Sequence, residues 1–293
     1  KEWEAGLAAW VWARKELDAH DRAAQVLVGV GDGNYDVQGI WRELPERTVA
    51  VIRCARNRAL YALPVARPGR RGAPAQYGER LLAPWKWLCQ RRQLTPLILT
   101  IRGRERHLRY RVVGPVLVEG APECPLFLLA VAGRSKQLGG RHPRRVYHRP
   151  VYYLVKAVAA ADGSWQLPYP VEQLLTWAWQ RWECEVGHRE MKSGLGIGEK
   201  QCWSRRAALS SVQWGVWVYS LCVLAAYRTW GITGGPRRSG CWYRHARRWS
   251  FAALWQGYRR APREEAEFLP LSAGPLDKWL KKNTRMTGLH KPQ

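Results

Sequence analysis

The sequence predicts an α/β fold: a sheet with parallel strands, interrupted by a β-rich insertion and followed by C-terminal helices. Three observations predict it. Helix-like and strand-like segments alternate at the start of the chain with short connections, the pattern of parallel strands joined by helices. From Pro64 that rhythm gives way to strand-like runs separated by basic loops. From Val171 the pattern turns helical and stays so.

In chain order, Trp3–Gln25 reads as a helix, with Leu7, Trp10, Val11 and Leu17 at helical spacings. The apolar run VLVGV follows and ends at Gly31-Asp32-Gly33, which is a buried strand entering a Gly-rich turn. Val37–Glu46 is a short helix and Thr48–Arg53 a second apolar strand. Pro64–Glu79 is broken by Pro64, Pro68, Gly69, Gly72, Pro74 and Gly78 and reads as a basic loop. Strands are expected at Pro96–Ile101, Leu108–Val118, Leu126–Val131 and Val151–Val158, with a second basic loop at Gly133–Pro150. Helices are expected at Val171–Lys192, Ser204–Trp230 and Ser250–Arg260, with a Gly/Pro/Arg linker at Gly231–Gly240. The implied organisation is a first part of the core over 1–63, an insertion over 64–165, a second part over 166–230, and a basic helical region and tail over 231–293.

Charge is the outstanding compositional feature. Lys+Arg number 48 against 23 Asp+Glu, a net charge of +25 and a pI near 10.4. A chain this basic repels itself without a polyanion, and nucleic acid is the commonest partner; the bland alternative is an Arg-rich composition without function. Hydrophobic residues at 46% exclude wholesale disorder. The cysteines (Cys54, Cys89, Cys124, Cys184, Cys202, Cys222, Cys241) are odd in number and lack a Cys-x-x-Cys pair, which argues against a disulfide framework or zinc site and suits a reducing cytosol. Lys1 opens directly into a charged helical stretch with no signal-peptide pattern. The apolar run Val212–Tyr227 is shorter than the ~20 residues that span a bilayer and is flanked by Arg205, Arg206 and Arg228, so it is expected to be a buried helix rather than a membrane segment.

Two acids stand out by position. Asp32 ends a buried strand inside GDGNYD, and ligands bind at that end of strands in open α/β sheets; a turn-forming Asp-Gly is the competing reading. Asp36 reads more simply as the N-cap of the next helix. Glu185 lies in AWQRWECEVGHREMKSGLG. At about 100° per residue, Arg181, Glu185, Arg189 and Lys192 share a helix stripe roughly 80° wide, with His188 beside it and Glu183 and Glu190 opposite. Such cations favour an ionised carboxylate able to bind a metal, and can hold a phosphate beside it. An exposed ladder of i, i+4 ion pairs is equally compatible with the pattern.

The spacing Arg181-x-x-x-Glu185-x-x-x-x-x-x-Lys192 resembles the YREK signature of bacterial insertion-sequence transposases of the DDE class. LVGVGDGNYDVQGIWRELPERTVAVIRCARNRALY resembles their second-acid region, and the β-rich stretch resembles the insertion before their last acid. The resemblance covers about Trp3–Tyr61 and Pro170–Trp230. It implies an RNase H-like core, with Asp32 as second and Glu185 as third catalytic acid, both metal ligands, and Arg181 and Lys192 on DNA phosphates. Two divalent metal ions, Mg²⁺ by preference, would activate the attacking water or 3′-hydroxyl and stabilise the leaving oxygen; carboxylates suit such hard cations. The implied activity is phosphodiester hydrolysis and strand transfer at insertion-sequence ends, with double-stranded terminal-repeat and target DNA as partners. Self-association during synapsis and a bacterial cytoplasmic, nucleoid-associated location also follow. There are departures: the signature's Tyr falls at Ala178, between Trp177 and Trp179, and the strand that carries the family's first Asp has no counterpart ahead of the opening helix. Asp18 and Asp21 are poor substitutes. On that pattern the chain is expected to cut weakly or not at all.

Among the 18 tryptophans, Trp214 and Trp217 are expected in the core. Trp85 and Trp87 flank Lys86 after the basic loop, a mixture suited to stacking a base while cations hold the backbone; a Trp pair pinning the loop to the sheet is the competing reading. Arg189 and the clusters Arg141–Arg149, Arg237–Arg248 and Lys278–Lys291 are candidates for further phosphate contacts. Against the transposase stand a non-catalytic DNA-binding remnant of such an enzyme and a basic RNA-binding or ribosome-associated protein.

Overall fold

The computed structural model describes residues 1–65, 73–101, 104–138, 144–199, 201–231, 235 and 249–264. The clusters Arg237–Arg248 and Lys278–Lys291 lie outside the described residues, as does much of the linker Gly231–Gly240. The chain divides into two units, Lys1–Trp182 and Glu183–Gln293.

The first unit is built on a six-stranded mixed sheet. β1 (Leu27–Gly31) pairs in parallel with β2 (Thr48–Arg53), joined through the short helix α2 (Gln38–Glu43). Beyond β2 every neighbour is antiparallel, in the order β1-β2-β8-β5-β4-β3. These outer strands are β3 (Thr95–Ile101), β4 (Arg104–Val118), β5 (Ala121–Val131) and β8 (Val151–Lys156). The expected parallel arrangement therefore holds for one pair. The β-rich stretch supplies four strands to the same sheet as β1 and β2.

Period-two alternation explains why β2 is buried on both faces. Ala50 and Ile52 face one cluster with Ile40, Trp41, Leu126, Leu128 and Leu154, against which Trp3, Trp10 and Val11 of α1 (Glu2–Ala19) also pack. Val49 and Val51 face another, with Leu129, Val155 and, from α4 (Val171–Gln180), Leu174, Leu175 and Ala178. Each fully buried aliphatic side chain contributes about 1.5–3 kcal/mol, so β2 anchors both layers. Gly29 lets α1 sit down on β1: an added Cβ would lie 2.6 Å from Trp10 Cε2.

The loop expected at Gly133–Pro150 contains instead a two-stranded ribbon, β6 (Arg134–Leu138) and β7 (Arg144–His148). A second small pair, β9 (Val158–Ala159) and β10 (Trp165–Gln166), precedes α4. Between β2 and β3 lies the single turn α3 (Pro84–Trp87).

In the second unit, α5 (Trp182–Leu195) is tied to α6 (Arg205–Trp230) by Tyr219 Oη donating to Glu190 at 2.8 Å. Tyr219 also meets Phe251 of α7 (Phe251–Glu264), ring centres 4.7 Å apart. Ser204 caps α6, its hydroxyl accepting from Ala207 N at 3.1 Å. Two expectations are corrected here. The helix expected over Val171–Lys192 breaks at Arg181 into α4 and α5. The helix expected to be buried is exposed: Trp214 is 62% and Trp217 65% exposed, and of its residues Gly215 and Ala226 are buried. α6 is long and apolar enough to cross a membrane by length and composition, a property that helices from protein interiors share.

Candidate nucleic-acid interface

Asp32 lies just beyond the C-terminal end of β1, where the parallel partner β2 also ends. Its side chain accepts from Asn34 N at 2.9 Å and caps a single 3₁₀ turn over Gly33–Tyr35. The turn-forming role is therefore real, and it also fixes where the carboxylate sits. Gly31 belongs to the same device, since a Cβ there would meet Tyr35 Cβ at 2.8 Å.

Asp32 opens onto a cleft of about 1200 Å³. Asp32, Gly33, Asn34 and Asp36 line it on one side, and Arg53, Cys54, Ala55, Arg56 and Arg58, at and after the end of β2, line it on another. Trp85, Leu88, Cys89 and Arg91 enter from α3 and the turn after it, Tyr147 from β7, Arg149 and Pro150 from the link to β8, and Tyr152 from β8 itself. Five arginines thus border a single cleft, and Arg53, Arg56, Arg91 and Arg149 are exposed. Guanidinium groups at this density suit phosphate oxygens.

The two tryptophans separate. Trp85 is 37% exposed on the cleft, with Arg56 5.6 Å and Lys86 5.9 Å from its ring centre. Trp87 turns away: its Nε1 donates to Leu82 O at 3.0 Å, Arg111 covers the ring at 4.6 Å, and it packs against the core. Trp87 pins its loop; Trp85 faces the cleft. Sequence alone could not divide them, because a single turn of helix points neighbouring residues in different directions.

Asp36 is not a helix N-cap, since Val37 holds that position for α2. Its side chain is 5% exposed and lies 2.9 Å from Arg58 Nε, while Trp41 Nε1 donates to its other oxygen at 3.1 Å. The Arg58 N–H is buried without an in-line acceptor, so this contact is one of charge. Burial raises the Asp36 carboxyl above its ordinary pKa, and the Arg58 charge and the Trp41 N–H offset part of that rise. Cys54 is buried nearby, and desolvation pushes its thiol far upward. Such a thiol is inert. Sequence reading named Arg149, within the cluster Arg141–Arg149, but missed the Asp36–Arg58 pair and Arg53, Arg56 and Arg91; RCARNR directly after a buried strand was the available signal.

Glu185, His188, Arg189 and Lys192 are exposed on α5, whereas Glu190 turns to Tyr219. Arg181 falls at the turn between α4 and α5. Asp32 belongs to the first unit and Glu185 to the second. Among the described residues no three His, Cys, Asp or Glu side chains gather as a metal site. Ala178, where the signature has Tyr, is buried against the sheet. No protein family, curated protein or solved structure matches the chain.

Proposed function

We propose that the chain is the DNA-handling portion of a DDE-class transposase, built on an RNase H-like core. The cleft beside Asp32 holds a DNA strand, and Asp32 and Glu185 serve as carboxylate ligands of Mg²⁺. The observation that carries this reading is the joining of Asp32, at the end of a buried parallel strand, with five arginines and an exposed Trp85 around one cleft. Phosphates would lie on Arg53, Arg56 and Arg149, and an unstacked base on Trp85, for which stacking contributes about 1–3 kcal/mol. Arg181, Arg189 and Lys192 supply further phosphate contacts. Bound Mg²⁺ would supply the activation of a water or 3′-hydroxyl for in-line attack; Asp32 contributes one hard oxygen ligand held by its own turn.

Binding of a labelled duplex with a single-stranded end, followed by anisotropy, tests the interface. Trp85→Ala should weaken binding about tenfold while shifting Tm by less than 2 °C; Trp87→Ala should lower Tm and leave affinity nearly unchanged. Equal effects of both on affinity would refute the assignment of Trp85. The metal assignment is checked with Fe²⁺ and ascorbate in place of Mg²⁺. Local backbone scission is expected near residue 32 and near residue 185, and the cut near residue 32 is expected to vanish in Asp32→Asn. Duplex binding with no scission at either position returns the chain to a non-catalytic DNA-binding remnant.

A further inference from the structure

The five cleft arginines are not equivalent, and the difference lies behind Arg58. Its backbone N–H is closed into a turn on Ala55 O at 3.1 Å, and its side chain is 23% exposed. Behind it the Asp36 carboxylate is almost fully enclosed and is held in turn by the indole of Trp41, which is 0% exposed. Turn, carboxylate and indole form a chain of fixed groups from the core to the cleft. We propose that Asp36 is a positioning residue that presents the Arg58 guanidinium to one phosphate group of the bound nucleic acid. This inference rests on the proposed DNA-binding role of the cleft and names the group that sets phosphate register within it.

The physical argument is pre-organisation. A free arginine loses rotamer freedom when it grips a phosphate, and an arginine already held loses less. With Nε against Asp36, the two terminal nitrogens remain for a forked contact with two phosphate oxygens, the geometry that arginine makes and lysine cannot. The Asp36 carboxylate also cancels the charge of Arg58 at long range. Arg58 therefore adds orientation, and the exposed Arg53, Arg56, Arg91 and Arg149 add field.

A double-mutant cycle on the full chain tests this. Wild type, Asp36→Asn, Arg58→Lys and the double variant are titrated with a duplex and, separately, with inorganic tripolyphosphate. Asp36→Asn retains an acceptor for Trp41, and Tm is recorded for all four. Each single variant should weaken binding of both probes about tenfold, and the double variant should lose no more than either single. Asn at position 36 raises the net positive charge, so a purely electrostatic role predicts tighter binding, and a purely structural role predicts losses that follow Tm. Either result would overturn the proposal, as would single losses that multiply in the double variant. Tripolyphosphate coupling without duplex binding would refute the DNA reading and leave the Asp36–Arg58 role intact. A wild-type chain that binds neither probe refutes both.

Discussion

At the scale of residues, Asp36 carries the clearest pH signature. Its folded-state pKa is raised, with burial the largest cause. For an acid with a raised folded pKa, the native state holds the proton more tightly than the unfolded chain does. The stabilisation is then complete below the unfolded value, about 3.9, and is lost as pH rises through the folded value. Asn cannot ionise and does not take part in this loss. Asp36→Asn should therefore gain in Tm relative to wild type from about pH 4 upward, the two being closest at the acid end. Thermal melts of both proteins across pH 3.5–7 would check it. A gap that widens against Asp36→Asn with rising pH would mean that Arg58 lowers the carboxyl pKa more than burial raises it.

At the scale of elements, the seat of α1 on the sheet depends on the missing side chain of Gly29. Adding a methyl there sets a carbon 2.6 Å from Trp10 Cε2, well inside contact distance, and Trp10 packs on the core beneath α1. Gly29→Ala should cost about 1–3 kcal/mol by overpacking, read from the urea midpoint. Gly29→Ala/Trp10→Leu should recover part of it, since the narrower side chain leaves room. No loss in the single variant would mean that α1 does not rest on β1. The same elements show what was legible in the sequence. β2 was readable to the residue because an unbroken apolar run at that length, followed by arginines, fits a buried strand and little else. Asp32 at the end of β1 was readable for the same reason. The pairing of β2 with β8 was not, because register between distant strands is set by facing side chains that periodicity does not name. The break at Arg181 was hidden because its backbone stays helical (φ −49°, ψ −34°) and the charge stripe runs through it. α6 was misread because composition reports apolarity and not what covers it: Leu221, Leu224 and Tyr227 are 52%, 45% and 55% exposed.

At the scale of the whole molecule, the question is whether the net charge of +25 acts as a diffuse field or through the cleft. Affinity for duplex DNA falls with salt at a log–log slope of about −0.9 for each phosphate neutralised. If the four exposed cleft arginines, Arg53, Arg56, Arg91 and Arg149, each meet one phosphate, the cleft alone accounts for a slope of about −3.6, from four contacts at −0.9. Replacing Arg53 and Arg149 by Gln should then reduce the slope by about 1.8, two contacts at 0.9. These side chains are exposed, so Tm should hardly move. A diffuse field predicts otherwise: removing two charges from 48 basic residues would barely change the slope, and any two exposed arginines would serve as well. Arg22→Gln/Arg109→Gln, both exposed and outside the cleft lining, supplies that comparison. Equal slopes for the two double variants would assign DNA binding to overall charge; a slope change confined to the cleft variant would assign it to the surface beside Asp32.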